Sequence, residues 1–196
     1  MSKGKVVSFV KKKSQMAQIY AKTKLGSSRS IEHILNQTNF DPLVLVLPDS
    51  QAMCLNEMHY PPLHHAALNG HTSVLKLMIK RSDKTIIDYP HNKVTPLILA
   101  IHSRCIHCVE ALLQAGADPN FNIDSDIMTP LRFAVEECSN FEIIRALVEF
   151  EANPIEETIK FNSPIEFVNS RLLPCDDEKE RMHWEAIIEL FEEYYE

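Results

Sequence analysis

Residues 95–120 read "TPLILAIHSRCIHCVEALLQAGADPN", and this stretch decides the fold of the chain. It starts with a threonine that can cap a helix, followed by a proline, which gives up no internal hydrogen bond in a first helical turn. A short apolar segment, a tight loop and a second apolar segment with helical spacing come next. The stretch therefore predicts a short helix, a tight loop, a longer helix and a projecting turn.

The same pattern recurs along the chain. Prolines follow one another at intervals of 34 residues, at positions 62, 96, 130 and 164. A small residue lies four positions after each proline, at Ala66, Ala100, Ala134 and Val168. A second apolar helix is predicted in each unit, at residues 73–80, 107–116, 141–150 and 183–195. One such helix pair cannot bury both of its apolar faces, so the units must stack into an all-α solenoid.

Three of these units resemble the ankyrin repeat. Residues 61–79 contain its Pro-Leu-His-x-Ala-Ala pattern and its Gly-His loop, residues 95–120 contain its start and its Gly-Ala-Asp-x-Asn ending, and residues 129–154 are a looser copy. The resemblance covers about half of the chain and implies an ankyrin solenoid of stacked helix-turn-helix units with projecting turns. In the third copy the apolar positions of the second helix come one residue later than in the other copies. This shift predicts one extra residue in the loop near Ser139.

The resemblance and the charge pattern divide the chain into four expected parts. Residues 1–30 carry eight Lys or Arg and no acid, and residues 176–196 carry nine acids. Residues 1–13 are expected to be a flexible basic arm, and residues 14–58 a degenerate repeat with an inserted loop whose "LVLVL" forms either a short strand or a plug. Residues 59–162 then hold three ankyrin repeats. Residues 163–196 are expected to be a capping repeat with an acidic helix. They do not resemble the C-terminal segment by which some ankyrin repeat proteins recruit a ubiquitin ligase.

The units also depart from the ankyrin pattern. The turn tips contain no glycine, and of the usual tip residues only Asp124 is present. The family pairs Thr with His around its Pro-Leu, but here Thr95 is followed by Ile98 and Thr129 by Arg132. Each missing hydrogen bond weakens the fold by about 1 kcal/mol. We therefore expect a less regular array of moderate stability.

Composition excludes several functional classes. A net charge of −7 argues against duplex nucleic acid as a ligand, because that binding needs many cations to neutralise phosphates. No secretory signal is visible, and the longest aliphatic run is too short to cross a membrane. Five cysteines, an odd number, fit reduced thiols better than a disulfide framework. We expect a cytoplasmic or nuclear protein with no membrane partner. The sequence leaves its oligomeric state open, and a monomer is the expectation.

No motif predicts an enzyme or a cofactor site, since all four glycines are isolated and no catalytic signature occurs. His64, His65 and His71 occupy places where the ankyrin family uses histidine for hydrogen bonds, which favours a structural role over a metal site. Cys105 takes the loop position of His71 one repeat on, and Cys108 takes an inward helix position. Packing is favoured for both cysteines, and a metal or redox-sensing site is the alternative.

The resemblance also implies a concave face on which the first helices and turn tips bind another protein. The partner-binding positions that it implies are Met58, Tyr60, Leu68, Asn69, His91, Asn92, Val94, His102, Ser103, Asp126, Met128, Glu136 and Glu137. Tyr60, Val94 and Met128 stand at one tip position of successive repeats and predict an exposed apolar stripe. Such stripes mark interaction sites, so we expect a non-catalytic adaptor or inhibitor.

One short motif lies outside the repeats. "KVVSF" at residues 5–9 resembles the docking peptide by which regulatory subunits bind protein phosphatase one. Val7 and Phe9 would alternate onto one face of an added strand, and Lys5 would meet an acidic surface. The alternative function that the motif implies is that of a phosphatase-targeting subunit.

Overall fold

The computed structural model describes residues 18–19, 21–36, 60–82, 86–122, 128–138, 140–158 and 160–195, without the side chains of Cys138 and Tyr195. Within these ranges residues 18–19 and 21–24 are helical. The numbered helices are α1 (Ser28–Leu35), α2 (Pro62–Leu68), α3 (Thr72–Lys80), α4 (Pro96–His102), α5 (Ile106–Gln114), α6 (Pro130–Phe133), α7 (Phe141–Glu149), α8 (Pro164–Leu172) and α9 (Glu178–Tyr195). The expected basic arm, the inserted loop and Asp124 lie outside the described residues.

Short first helices and longer second helices stack in separate layers. The first helices pack in the order α2, α4, α6 and α8, and the second helices in the order α1, α3, α5, α7 and α9. The small residues at positions 66, 100, 134 and 168 are fully buried where the layers meet. This arrangement confirms the predicted all-α solenoid.

Side-chain caps start three of the first helices as predicted. The hydroxyl groups of Thr95, Thr129 and Ser163 accept hydrogen bonds from the backbone N–H three residues on, over 3.4, 3.2 and 3.4 Å. A proline follows each cap, so these helices begin without an unsatisfied N–H at their first position. The helix starts were therefore readable from the sequence.

The loops between first and second helices stack in register. Gly26 and Gly70 both have φ of +64°, and in each case a side chain from the next loop lies where a Cβ would point. The His71 ring covers Gly26, and Cys105 covers Gly70. The predicted equivalence of Cys105 and His71 is thus confirmed, and the helical residues before Gly26 belong to the same stack.

The extra residue of the third unit lies in its first helix. Residues 134–138 form a π-helical turn directly after α6, so the chain gains one residue before Asn140 caps α7. A wider turn absorbs an insertion without interrupting the backbone ladder, which is the usual origin of π-bulges. The prediction that the insertion lies in the loop near Ser139 was therefore wrong in its placement.

The tip between the first two repeats folds tightly without glycine. His91 and Val94 exchange backbone hydrogen bonds of 2.9 and 3.0 Å, and the two residues between them, Asn92 and Lys93, have φ of +52° and +66°. Positive φ at both central positions is the geometry of a type I′ turn, which favours Asn and Gly. The turn therefore keeps the geometry that favours glycine, although the residue at this position is Lys93, whose backbone is strained.

The last helix closes the stack. Asp177 caps α9 by accepting hydrogen bonds from the N–H groups of Lys179 and Glu180 over 2.8 and 3.0 Å. Trp184, Ile187 and Phe191 are buried against the preceding units, as their spacing predicted. No helix in the described part of the chain is both long and apolar enough to traverse a membrane.

Candidate functional site

An apolar hollow of about 180 Å³ lies on the surface formed by the first helices and the tip. Its lining residues come from three consecutive units and are Tyr60, Leu68, Val94, Leu99, His102 and Phe133. Ligand pockets for small molecules usually measure about 300–1,000 Å³. The hollow is therefore sized for one or two side chains of another protein rather than for a cofactor.

Helix geometry explains why these residues meet. Leu99 and His102 lie three residues apart on α4, so they share one face of that helix. Phe133, at the end of α6, faces His102 across the gap between repeats, with ring centroids 6.4 Å apart. Rigid helices thus hold an aromatic wall and an exposed imidazole around one opening.

Tyr60 corrects the predicted exposed stripe. Its side chain is 4% exposed, because it stacks on His64 at a centroid separation of 6.0 Å and packs edge-on against His65 and His91. Val94 and Met128, at the equivalent positions, are half-buried. Tyr60 contacts the tip of the next unit and Val94 packs against the core, so only the edges of these two residues are available to a partner.

His64 supports the tip from beneath. Its Nε2 lies 3.1 Å from the carbonyl oxygen of Val94, where a neutral imidazole donates a hydrogen bond. The pKa of His64 is lowered to about 3, chiefly by burial and also by the nearby His91, although the bond to Val94 opposes this. The predicted structural role of His64 is confirmed, and the ring stays neutral at physiological pH.

In the third unit Arg132 makes the hydrogen bond to the next tip that His64 makes in the first. Its side chain is 7% exposed, and its Nε donates to the carbonyl oxygen of Asn162 over 3.1 Å. The guanidinium also pairs with Glu136 and lies 3.9 Å from the centre of the Phe167 ring. Arg171 approaches the same ring at 5.1 Å. The side chain at the position of the family's histidine therefore still makes a hydrogen bond to the next tip, from a charged donor.

Other predicted partner residues have intramolecular contacts. The Asn69 amide donates to the carbonyl oxygen of His65 over 2.8 Å, and the Ser103 hydroxyl lies 3.0 Å from the carbonyl oxygens of Ala67 and Ala100. Asn92, at the tip, and Glu137, beside the π-helical turn, are exposed. The predicted residues Met58, Asp126, Lys5, Val7 and Phe9 lie outside the described residues.

Sequence reasoning missed two of the six lining residues. Leu99 and Phe133 both lie three positions after a repeat proline, a position outside the set taken from the ankyrin pattern. The sequence does contain a signal for this position, because three of the four units have an aromatic ring there and the fourth has a leucine. The residues are His65, Leu99, Phe133 and Phe167. Tyr60, Leu68, Val94 and His102 were predicted and do meet in the hollow.

The cysteine pair lies on another part of the surface. Cys105 caps α5 and is half-buried, whereas Cys108 is fully buried one turn later. The Thr72 hydroxyl lies 3.6 Å from Cys105 Sγ and 3.3 Å from Cys108 Sγ. Among the described residues, no group of three or more His, Cys, Asp and Glu side chains could hold a metal ion. The inward packing predicted for Cys108 is confirmed.

The repeats of this chain match a known protein family. A sequence model of the family "Ankyrin repeats (3 copies)" matches residues 33–123 and 63–158, which together make up more than half of the chain. The chain belongs to the ankyrin repeat family. Ankyrin repeats are generally a non-catalytic fold for protein–protein interaction.

Curated ankyrin repeat proteins match the chain over part of their length. Ankyrin repeat and SOCS box protein 5 of Oryctolagus cuniculus is 36% identical over 105 residues, which are 54% of this chain and 31% of that protein. The Mus musculus protein of the same name is 35% identical over 109 residues, 56% of this chain and 32% of its own. An ankyrin repeat protein of fowlpox virus, FPV014, is 26% identical over 117 residues, 60% of this chain and 26% of its own. The match thus spans about a third or less of each relative.

Proposed function

We propose that this protein is a non-catalytic adaptor or inhibitor that binds another protein through its concave ankyrin face. The observation that carries the proposal is the apolar hollow, which opens on the first-helix surface and is lined by residues from three consecutive repeats. Exposed apolar depressions rimmed by polar groups are typical of protein–protein interaction sites. The three free thiols among the described cysteines fit an intracellular, cytoplasmic or nuclear, location.

The recognition would use an apolar side chain of the partner as an anchor. Leu99 is 5% exposed and Phe133 is packed against the core, so the walls of the hollow keep their positions before binding. His102 is exposed at the rim and can donate or accept a hydrogen bond. A preformed site loses little conformational entropy when it binds, which favours affinity from a small contact area.

A matched pair of substitutions tests this surface. Val94, in the hollow, and Ile106, at the start of α5, are both half-buried β-branched residues that contact the core. Loss of an apolar contact at the centre of an interface weakens binding about tenfold. We expect Val94→Ser to weaken stoichiometric capture of a partner by that factor and Ile106→Ser to leave it unchanged. Equal effects of the two changes would contradict the proposed surface.

Photo-crosslinking gives a test that does not depend on affinity. His102 is exposed at the rim of the hollow, and His107 is exposed on the second helix of the same repeat. With a benzophenone amino acid at position 102, we expect a covalent adduct with the partner, and with the same group at position 107 none. Adducts of equal yield from both positions would place the binding surface elsewhere.

A second candidate function is that of a phosphatase-targeting subunit, and it rests on the "KVVSF" motif at residues 5–9. The alternation of Val7 and Phe9 in a basic context fits a peptide that adds a strand to the edge of a sheet. If the motif is used, Val7→Ala with Phe9→Ala will abolish capture of protein phosphatase one by the full chain. Capture that survives this double change would exclude the docking role.

A further inference from the structure

Two thiols and one hydroxyl converge in the loop stack, outside the apolar hollow. Cys105 is the N-cap residue of α5, and the N–H of Cys108 donates to the carbonyl oxygen of Cys105 over 3.0 Å. Thr72 Oγ1 lies 3.6 Å from the sulfur of Cys105 and 3.3 Å from that of Cys108, so one hydroxyl contacts both sulfur atoms. A Cys-x-x-Cys pair at a helix start thus has both sulfur atoms on one side of the first turn.

The two sulfur atoms differ in access to solvent. Cys105 is half-buried, and its Cβ and Sγ pack over Gly70. Cys108 is fully buried between α3 and α5, where the same Thr72 hydroxyl reaches it. A reagent from solvent can therefore reach Cys105 but reaches Cys108 only through its neighbour.

The surroundings also separate the two thiols electrostatically. Burial raises the pKa of Cys105, but hydrogen bonds from the Thr72 hydroxyl, the Cys108 thiol and the backbone of Cys108 and His107 outweigh it, and the net pKa is lowered. Burial raises the pKa of Cys108 to about 12, although the nearby Lys76 opposes this. Since the thiolate is the nucleophile, the accessible thiol of the pair is also the reactive one.

We propose that Cys105 and Cys108 form an oxidation site at which a peroxide converts the two thiols into an intramolecular disulfide. This division of labour, an accessible attacking thiol beside a protected resolving thiol, is typical of redox-sensing pairs. The site requires no metal and no partner chain. It is also independent of the recognition surface proposed above, so either assignment can fail without the other.

The reaction balances with hydrogen peroxide as the oxidant. The Cys105 thiolate attacks one peroxide oxygen, the O–O bond breaks, and the leaving hydroxide takes a proton to form water, which leaves a sulfenic acid on Cys105. The Cys108 sulfur then attacks the Cys105 sulfur, the S–O bond breaks, and the departing hydroxide and the Cys108 proton form a second water. Two thiols are oxidised by one electron each, and one peroxide is reduced by two.

Cys175 provides an internal comparison. It is half-buried like Cys105, but its thiol faces the backbone carbonyl of Asp177 over 3.4 Å. Burial raises the pKa of Cys175, and the nearby Glu180 carboxylate raises it further. Its thiolate fraction at a given pH is therefore smaller than that of Cys105, so it should react with peroxide more slowly.

Peptide mass spectrometry of the full chain tests the proposal. Trypsin cleavage after Arg104 and Arg132 releases residues 105–132, which contain Cys105 and Cys108 and no other cysteine. After graded hydrogen peroxide and alkylation of the remaining thiols, we expect this peptide to carry neither alkyl group, and to weigh two hydrogen atoms less than its reduced and unalkylated form, before Cys175 loses its label. A peptide that keeps both labels while Cys175 is oxidised, or that is linked to another cysteine, would overturn the proposal.

Single substitutions distinguish the two sulfur atoms. In Cys108→Ser, we expect Cys105 to accumulate as a sulfenic acid that dimedone labels, because the resolving thiol is gone. In Cys105→Ser, we expect Cys108 to stay reduced, because its sulfur is buried. Equal labelling of the two variants would contradict the assigned order of attack.

Thr72→Val tests the positioning role of the hydroxyl with nearly the same side-chain shape. We expect alkylation of Cys105 at neutral pH to slow several-fold and the pH midpoint of alkylation to rise, while the circular dichroism spectrum stays that of the unchanged chain. An unchanged midpoint would remove Thr72 from the site. Unfolding would also raise the midpoint, because it returns the pKa of Cys105 to its ordinary value, so the unchanged circular dichroism spectrum is the control that separates the two causes.

Discussion

The Nε of Arg132 donates a hydrogen bond to the carbonyl oxygen of Asn162 over 3.1 Å, and so joins the third unit to the tip of the fourth. In the first unit His64 bonds the carbonyl oxygen of Val94 over the same distance. Both donors lie two residues after a repeat proline, and both acceptors lie two residues before the next one. A histidine in one unit and an arginine in another thus make the equivalent hydrogen bond to the next tip. The guanidinium of Arg132 also contacts the Phe167 ring.

The first prediction concerns this arginine. Arg132→Leu removes a nearly buried cation, its bond to Asn162 and its contact with the Phe167 ring, and leaves Glu136 without its partner. We expect a loss of about 2 kcal/mol in the free energy of unfolding, measured by urea denaturation. Arg132→His restores the residue that the first unit uses, so its loss should be smaller. Equal losses for Leu and His would contradict a role for the bond to Asn162.

The second prediction concerns strain at the end of α7. Glu151 has φ of +66° and occupies the place that Gly116 fills one unit earlier, after which Ala152 and Ala117 bond back to the carbonyl oxygens of Leu147 and Leu112. A residue with a side chain is disfavoured by about 1 kcal/mol in this conformation. Glu151→Gly should therefore raise the free energy of unfolding by about that amount.

An alanine at the same position serves as the control for Glu151→Gly. It removes the carboxylate but keeps the Cβ, so the strained conformation stays equally unfavourable. We expect Glu151→Ala to unfold at nearly the urea concentration of the unchanged chain. A gain in Glu151→Ala as large as that in Glu151→Gly would show that loss of charge, not relief of strain, is responsible.

Periodicity made most of the fold predictable, because prolines, caps and apolar spacing are local signals. The starts of α4, α6 and α8 follow directly from Thr95, Thr129 and Ser163. The π-helical turn at 134–138 was not predictable, since one extra residue can be absorbed in a helix or in the loop after it with the same apolar phase. Where an insertion settles depends on the packing of the neighbouring units.

The candidate site was predictable only in part, for a related reason. The ankyrin pattern marks which positions face outward on average, and three of the positions that it marks, Leu68, Val94 and His102, line the hollow. It did not show that Tyr60 is buried by histidine rings, because the rings of His64 and His65 in its own unit enclose it together with His91 from the next tip. It also omitted Phe133, whose exposure depends on the neighbouring His102.

The third prediction concerns Asp88, whose carboxylate accepts a hydrogen bond from the N–H of Asp118 over 3.1 Å. The pKa of Asp88 is raised to about 6, chiefly by burial and also by the nearby Asp118 charge, although the bond from the Asp118 N–H opposes this. The folded chain therefore binds this proton more tightly than the unfolded chain does. The resulting stabilisation is present at low pH and is lost as the pH rises from about 4 through about 6.

Asp88→Asn removes this titration and keeps an oxygen that can accept the bond from Asp118. We expect the variant to be more stable than the unchanged chain at pH 7.5 and to lose that advantage at pH 4.5. Urea denaturation at the two pH values measures the difference. An advantage of equal size at both would mean that Asp88 titrates normally in the folded chain.

The fourth prediction concerns His64, whose pKa is lowered and not raised. Its pKa lies at about 3 in the folded chain, against 6.5 in a solvated histidine, chiefly because burial disfavours the charged ring. As the pH falls below 6.5, the unfolded chain binds this proton first. The stability that neutral His64 contributes is therefore present above pH 6.5 and lost as the pH falls from about 6.5 toward 3.

Replacing His64 with glutamine removes the titration while leaving a side chain that can donate to the carbonyl oxygen of Val94. The variant will be less stable at pH 7, because its amide fits the stack of Tyr60 and His91 less well. Its disadvantage should shrink by up to about 1.4 kcal/mol for each pH unit below 6.5. Urea denaturation from pH 7 to pH 5 measures this difference, in which the opposite titration of Asp88 cancels because both chains carry it. A disadvantage that stays constant with pH would mean that folded His64 accepts a proton as readily as a solvated imidazole.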